Sequence, residues 1–223
     1  MLARYFQTAL LAASLFAFIV GGCKDMGSEP TFADQQIDTT GGPIVRKPNL
    51  YLYPTRKQTI SIDLAFPQGG RILESVPAYG EGWRVEVEPS GLINNLYRYL
   101  FYEAQAPDHY QYSEGWVVGG DTLTAFFHHV LGQVGFTEPE IQDFVRYWSP
   151  LLSSKAQYEI YPQDRQKLDE LIQVDVSPLP DSQLRLALVI RTAKTTPSLL
   201  KEPQLTPVSR TGFFLAEWGV ILK

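Results

Sequence analysis

Between Phe213 and Leu222 the chain runs Phe-Phe-Leu-Ala-Glu-Trp-Gly-Val-Ile-Leu, apolar at odd and even positions alike. A strand with no polar stripe suits the centre of a sheet rather than an edge. Its one charge, Glu217, is the only charge between Arg210 and Lys223. An isolated buried carboxylate is costly, so the run predicts that Glu217 is paired, hydrogen-bonded or protonated.

Other stretches also read as strands. Leu50 to Tyr53 lies between Pro48 and Pro54, and Ile60, Ile62, Leu64 and Phe66 alternate with polar or small residues. Trp83, Val85 and Val87 alternate again, and Leu96 to Glu103 is rich in tyrosine. After a helical interval, Gln157 to Tyr161, Leu171 to Val176 and the period-two series Leu184, Leu186, Leu188, Ile190 return to strand. Short strands separated by Gly, Pro and Ser turns predict an antiparallel, sandwich-like sheet system. Thr192 to Gly212, with Pro197, Pro203 and Pro207, reads as a connection of about 20 residues, long enough to suggest a function or mobility.

The helical interval is a two-helix hairpin. Leu123, Phe126, Phe127, Val130, Leu131 and Val134 fall on one helical face, with Asp121 placed to cap its start and Gly135 its end. Thr137-Glu-Pro-Glu140 is a capping box with Pro in the first turn, flanked by Phe136 and Ile141 in staple positions. Ile141, Phe144, Val145 and Trp148 form the second apolar face, and Pro150 ends it. The fold class is therefore α+β, with antiparallel, sandwich-like sheets and an inserted two-helix hairpin.

The amino-terminal segment gives an address. Arg4 precedes an apolar run from Ala9 to Val20, about a dozen residues, which suits a signal peptide and falls short of the roughly 20 needed to span a bilayer. Val20-Gly21-Gly22-Cys23 looks like a bacterial lipobox, and Cys23 is the only cysteine. The expected organisation is a signal peptide at 1–22, a flexible tether from lipidated Cys23 to residue 46, and one globular domain at 47–223. Acyl chains on Cys23 would hold the protein to a membrane, since each buried methylene adds about 0.8 kcal/mol. Lys24 follows the cysteine and Asp25 stands one place later, which under the sorting rule of Gram-negative lipoproteins implies the outer membrane. With no second cysteine there is no internal disulfide and no thiolate metal site. The net charge of −5 argues against nucleic-acid binding, helical hairpin notwithstanding.

Several motifs carry a resemblance. Lys47-Pro-Asn-Leu-Tyr-Leu-Tyr-Pro54, Gly82-Trp83, Tyr99-Leu-Phe-Tyr-Glu103, Gly115-Trp-Val-Val118, Asp143-Phe-Val-Arg-Tyr-Trp148, Tyr161-Pro-Gln163 and Glu217-Trp-Gly219 follow one another along the chain. In that order they resemble an uncharacterised bacterial family with a KPVIYLYP-like opening, an LFWE-like strand end, a DFIxYW-like helix and an EWGG-like closing strand. The chain departs from the pattern at Asn49, at Tyr102 for Trp and at Val220 for Gly. The resemblance implies that strands and helices form a single unit; it implies no chemistry.

Candidate chemistry is sparse. Glu103 ends a strand in phase with Tyr97, Tyr99 and Phe101. If its strand neighboured that of Glu217, two carboxylates would converge, and such pairs do acid–base work on glycosides. The structural reading instead pairs the glutamate with Lys47, Arg84, Arg98 or Arg191 to lock the sheet. His128 and His129 point about 100° apart on one helix and His109 lies in a loop, so no metal or cofactor is expected. There is no Gly-x-Ser-x-Gly elbow, phosphate loop or dinucleotide fingerprint. Tyr110, Tyr112 and Trp116, close to Asp108 and Glu114, are candidates for a binding surface. The favoured reading is an envelope lipoprotein acting as a non-catalytic binding or structural module, with an envelope protein or glycan as partner. The alternative is an envelope hydrolase, glycan-directed, using Glu103 and Glu217.

Overall fold

The structure, a computed structural model, describes residues 42–194 and 200–223. The expected signal peptide, Cys23 and the tether up to Gly41 lie outside the described residues. Strand β1 (Ile44–Tyr53) opens ahead of the Lys47 boundary read from the sequence. It is followed by β2 (Gln58–Ala65), β3 (Arg71–Val76), β4 (Trp83–Val87), β5 (Leu100–Gln105) and β6 (Trp116–Gly119). Helices α1 (Leu123–Val134) and α2 (Glu138–Trp148) come next, then β7 (Gln157–Asp164), the short α3 (Arg165–Asp169), β8 (Gln173–Ser177), β9 (Ser182–Thr192) and β10 (Phe214–Leu222).

The fold is α+β. One sheet has seven strands in the order β3-β5-β1-β10-β9-β7-β6, and a second has three, β4-β2-β8. Strand β10 is central in the large sheet, as its two apolar faces require. Its even positions, Phe214, Ala216, Trp218 and Val220, join the cluster under α1 and α2. Its odd positions, Leu215 and Ile221, join the cluster shared with Ile60, Ile62, Trp83 and Val85 of the small sheet. The large sheet is thus sandwiched, with the small sheet on one face and the helical hairpin on the other.

One pairing departs from the expected antiparallel order. Strands β9 and β10 run parallel, from Ser182 opposite Phe214 to Ile190 opposite Leu222. Parallel neighbours need a connection of about a dozen residues or more to bring the chain back to the same end. The long Pro-rich stretch after Thr192 supplies that return, which accounts for its length. Strands β3 and β6, unforeseen in the sequence, are short edge strands with mostly exposed or half-buried residues, and so carry no clear alternation.

Helix α1 buries Leu123, Phe127, Val130, Leu131 and Val134, and Gly135 ends it in the left-handed region at φ 113°. Asp121 does not cap it. The chain enters through a single 3₁₀ turn at Gly120–Thr122, and Thr122 donates its hydroxyl to the Gly119 carbonyl. Helix α2 starts at its capping box, where the Thr137 N–H donates to Glu140 Oε2 at 2.7 Å.

Strand β1 carries the main irregularity. Its register against β10 shifts between Arg46 and Asn49, and Lys47 adopts φ 47°. Pro48 in this bulge lies over Gly219, where a Cβ would meet Val45 Cγ1 at 3.3 Å and Pro48 Cγ at 3.5 Å. Asn49, just past the bulge, is fully buried, and neither polar atom of its amide makes a well-formed hydrogen bond.

Candidate functional site

Glu217 projects from β10 into the layer between the sheets, on the same side as Leu215. Its neighbour on β9 is Arg185, directly opposite in register. The guanidinium Nε donates to Glu217 Oε2, and Nη1 donates to Asp169 Oδ1 in α3. Tyr102, on β5, donates its hydroxyl to Glu217 Oε1 at 2.5 Å. Side-chain exposure is 1% for Arg185 and 3% for Glu217, so this is a dry ion pair. Burial opposes the charge of Arg185, yet the charge of Glu217 and its hydrogen bond, with Asp169 adding, hold its pKa above the ordinary guanidinium value. Burial, followed by the charge of Glu217, lifts the Tyr102 phenol well above its ordinary range. Both carboxylate oxygens are therefore engaged by donors that hold their protons.

The partner is not Lys47, Arg84, Arg98 or Arg191, the cations that sequence spacing suggested. Leu184, Leu186, Leu188 and Ile190 face the helices, so Arg185 and Arg191 face the other layer, and that layer is covered too. Arg191 finds Glu159 on β7, with Nε donating to Oε2 at 2.6 Å. Tyr161 donates to the same oxygen at 2.8 Å. The sheet face thus carries two arrangements of tyrosine, glutamate and arginine.

The structure does not bring Glu103 and Glu217 together. Tyr102 reaches Glu217 from one face of β5, so Glu103, the next residue, faces the opposite side. Glu103 is half-buried beside the β1 bulge, where it accepts a backbone hydrogen bond from Lys47. Burial raises its pKa above 4.5, with Arg46 and Lys47 working against that rise and Glu74 adding to it. It holds the freed backbone of the bulge.

The three candidate aromatics are also divided. Tyr110 is buried in the inter-sheet cluster, and Tyr112 packs there edge-on against Tyr161, with ring centroids 5.2 Å apart. Tyr112 donates to Asp108 at 2.7 Å. Trp116 belongs to the helix layer, edge-on to Phe126 at 5.2 Å. They do not form one surface.

A concave region with polar groups lies elsewhere, where the end of β1 meets the start of α2. A cleft of about 710 Å³ opens there, lined by Tyr51 and Tyr53 of β1, Arg98, Glu140 of α2, Arg210 and Phe214 among others. Gly91 stands at its wall with φ 87°, and a Cβ there would come within 2.8 Å of the Tyr53 ring, so only glycine lets the loop close on that ring. Glu140 is fully buried and held bidentately by Arg210, at 2.9 Å for each bond. The Arg210 guanidinium lies 4.0 Å from the Phe214 ring centroid and 4.8 Å from that of Tyr53. Beside this pair, Asp143 accepts from the Tyr51 hydroxyl at 3.1 Å and stands 3.5 Å from Arg98. Burial first, then the adjacent carboxylates, raise both phenols above their usual range. Arg98 differs from Arg185, Arg191 and Arg210: its side chain is 51% exposed, and its ion-pair contact with Asp143 among the described residues is loose.

Comparison of the chain with family models, with curated proteins and with solved structures finds no match. The cleft was not singled out in the sequence, because its parts come from segments far apart in the chain. One signal was present: Tyr51 and Tyr53, alternate residues of one strand, and Glu140 and Asp143, i and i+3 on one helix, each present two polar tips on a common face.

Proposed function

We propose that the protein is a bacterial cell-envelope lipoprotein, held at the outer membrane through acylated Cys23, whose globular part is a non-catalytic binding module. The cleft between β1 and α2 is its binding site. The observation that carries the non-catalytic reading is the engagement of Glu217 by Tyr102 and Arg185 in a dry layer, with Glu103 on the other face of the sheet. A glycan-directed acid–base pair needs two carboxyl groups about 5–10 Å apart across an open site, and these two share no site. Support for a binding role comes from the cleft, which is concave, aromatic and supplied with one under-used arginine. Sequence alone supports the address, through the Val20-Gly21-Gly22-Cys23 pattern.

Two experiments test this. Cys23→Ser abolishes fatty-acid labelling and membrane pelleting; a variant that still pellets as a mature membrane-bound species overturns the anchor. A photo-crosslinking residue at Leu92, in the cleft wall, captures an envelope component in intact cells that the same residue at Leu179, 78% exposed between β8 and β9, does not. Equal capture at both positions removes the cleft as the binding site. Release of fragments from purified cell-wall glycan by the parent protein but not by folded Glu217→Gln overturns the non-catalytic reading.

A further inference from the structure

We infer that the cleft takes an uncharged, hydroxyl-rich sugar chain, an inference that rests on reading the cleft as the binding site. The four charges at the cleft cancel: Arg210 is matched by Glu140, and Arg98 by Asp143. The chain as a whole carries a net charge of −5, so no positive field draws an anionic ligand toward the mouth. What the cleft does offer is directional hydrogen bonding beside flat apolar surface.

Arg98 has five N–H donors, and among the described residues only one nitrogen approaches a carboxylate, at 3.5 Å. Most of that fork is available to a ligand. Ser90, also in the lining, brings a hydroxyl that both donates and accepts, and the Thr137 hydroxyl, whose oxygen accepts the Glu140 N–H in the capping box, keeps its own hydrogen to donate. The Tyr53 ring lines the cleft with Arg210 stacked upon it at 4.8 Å, which fixes the ring's plane. An aromatic wall held in place by Arg210 and Gly91 and flanked by donors and acceptors matches a pyranose, which has apolar C–H patches and a rim of hydroxyls. A carboxylate ligand fits less well, because it would leave the hydroxyl acceptors unused and would add negative charge beside Asp143 and Glu140.

Saturation-transfer NMR on the full lipidated chain in detergent tests this, with two probes: a β-linked N-acetylglucosamine oligomer and an oligogalacturonate. The neutral oligomer is expected to receive saturation and the acidic one not. Arg98→Gln, at a half-exposed position that leaves the Glu140–Arg210 pair intact, should weaken neutral binding by about tenfold with an unchanged melting temperature. Binding of the acidic oligomer alone overturns the sugar-charge assignment and keeps the cleft as a binding site. Neutral binding that Arg98→Gln leaves untouched places the sugar elsewhere and overturns the inference. Silence of both probes overturns it as well, and the Leu92 crosslinking result then decides whether the binding-site reading falls with it.

Discussion

Tyr102 and Glu217 meet at 2.5 Å across the width of β1, with the tyrosine donating and Arg185 closing the other side of the carboxylate. Three strands, β5, β10 and β9, are tied by this one contact set. Breaking a buried pair by removing one member strands the other, at a cost of about 3–5 kcal/mol. Glu217→Gln should therefore lose about that much stability in urea denaturation. Tyr102→Phe leaves the ion pair in place and should cost less, about 1–3 kcal/mol. A Glu217→Gln protein as stable as the parent would show that the pair contributes nothing net.

Asn49 makes the opposite case. Its amide is buried without a well-formed hydrogen bond. Leaving a buried polar group unsatisfied costs about 1–3 kcal/mol. Asn49→Val removes that cost and suits a strand, so the urea midpoint should rise. A fall in the midpoint would mean that the amide's contact with the Tyr51 hydroxyl outweighs the cost of its burial.

Glu103 supplies a pH signature. Its pKa is raised on folding, chiefly by burial, so the folded state binds its proton more tightly than the unfolded chain. Its contribution is then most favourable below the unfolded value, about 4.3, and turns against folding as pH rises through the folded value. Glu103→Gln should match the parent in melting temperature near about pH 3.5 and exceed it near about pH 7.5. A variant that melts lower than the parent at neutral pH would show that the bulge needs the charge.

Most of the fold was legible because hydrophobic period is a local signal. The faces of α1 and α2, the Thr137 capping box and the two-sided character of β10 were all readable from neighbours in sequence. What failed was what needed partners. Arg185 was not singled out: it falls between the period-two residues of its strand, and nothing local says that the second face is also covered. The parallel pairing of β9 and β10 was hidden because a long connection reads as a loop until its ends are placed. The cleft was hidden for the same reason: Tyr51, Arg98, Glu140 and Arg210 lie in four different segments. Glu217 was the productive exception, a charge so out of place in its strand that a partner was required before any partner was known.

Helix α2 allows a paired test of packing. Trp148 is fully buried under the sheet, while Arg146 is exposed in the same turn. Trp148→Ala should cost about 3–5 kcal/mol through lost burial and the cavity left behind. Arg146→Ala should shift stability by about 0.5 kcal/mol or less. Similar losses at the two positions would contradict the way the helix faces the sheet.

The tyrosines set an alkaline limit. Tyr51, Tyr53, Tyr102 and Tyr110 are all raised above the ordinary phenol value of 10.0, in each case chiefly by burial. In the unfolded chain they lose protons near about pH 10, while the folded chain retains them. Above that pH the folded state binds more protons than the unfolded one, so stability falls as pH rises, by up to about 1.4 kcal/mol per pH unit for each such tyrosine. Phenolate absorbance from these four rings should therefore lag behind that of the unfolded chain. They should ionise only as circular dichroism reports cooperative loss of the sheets. Ionisation of all the tyrosines in one reversible step, with the dichroism unchanged, would show that these hydroxyls are not held by the carboxylates and the dry layers around them.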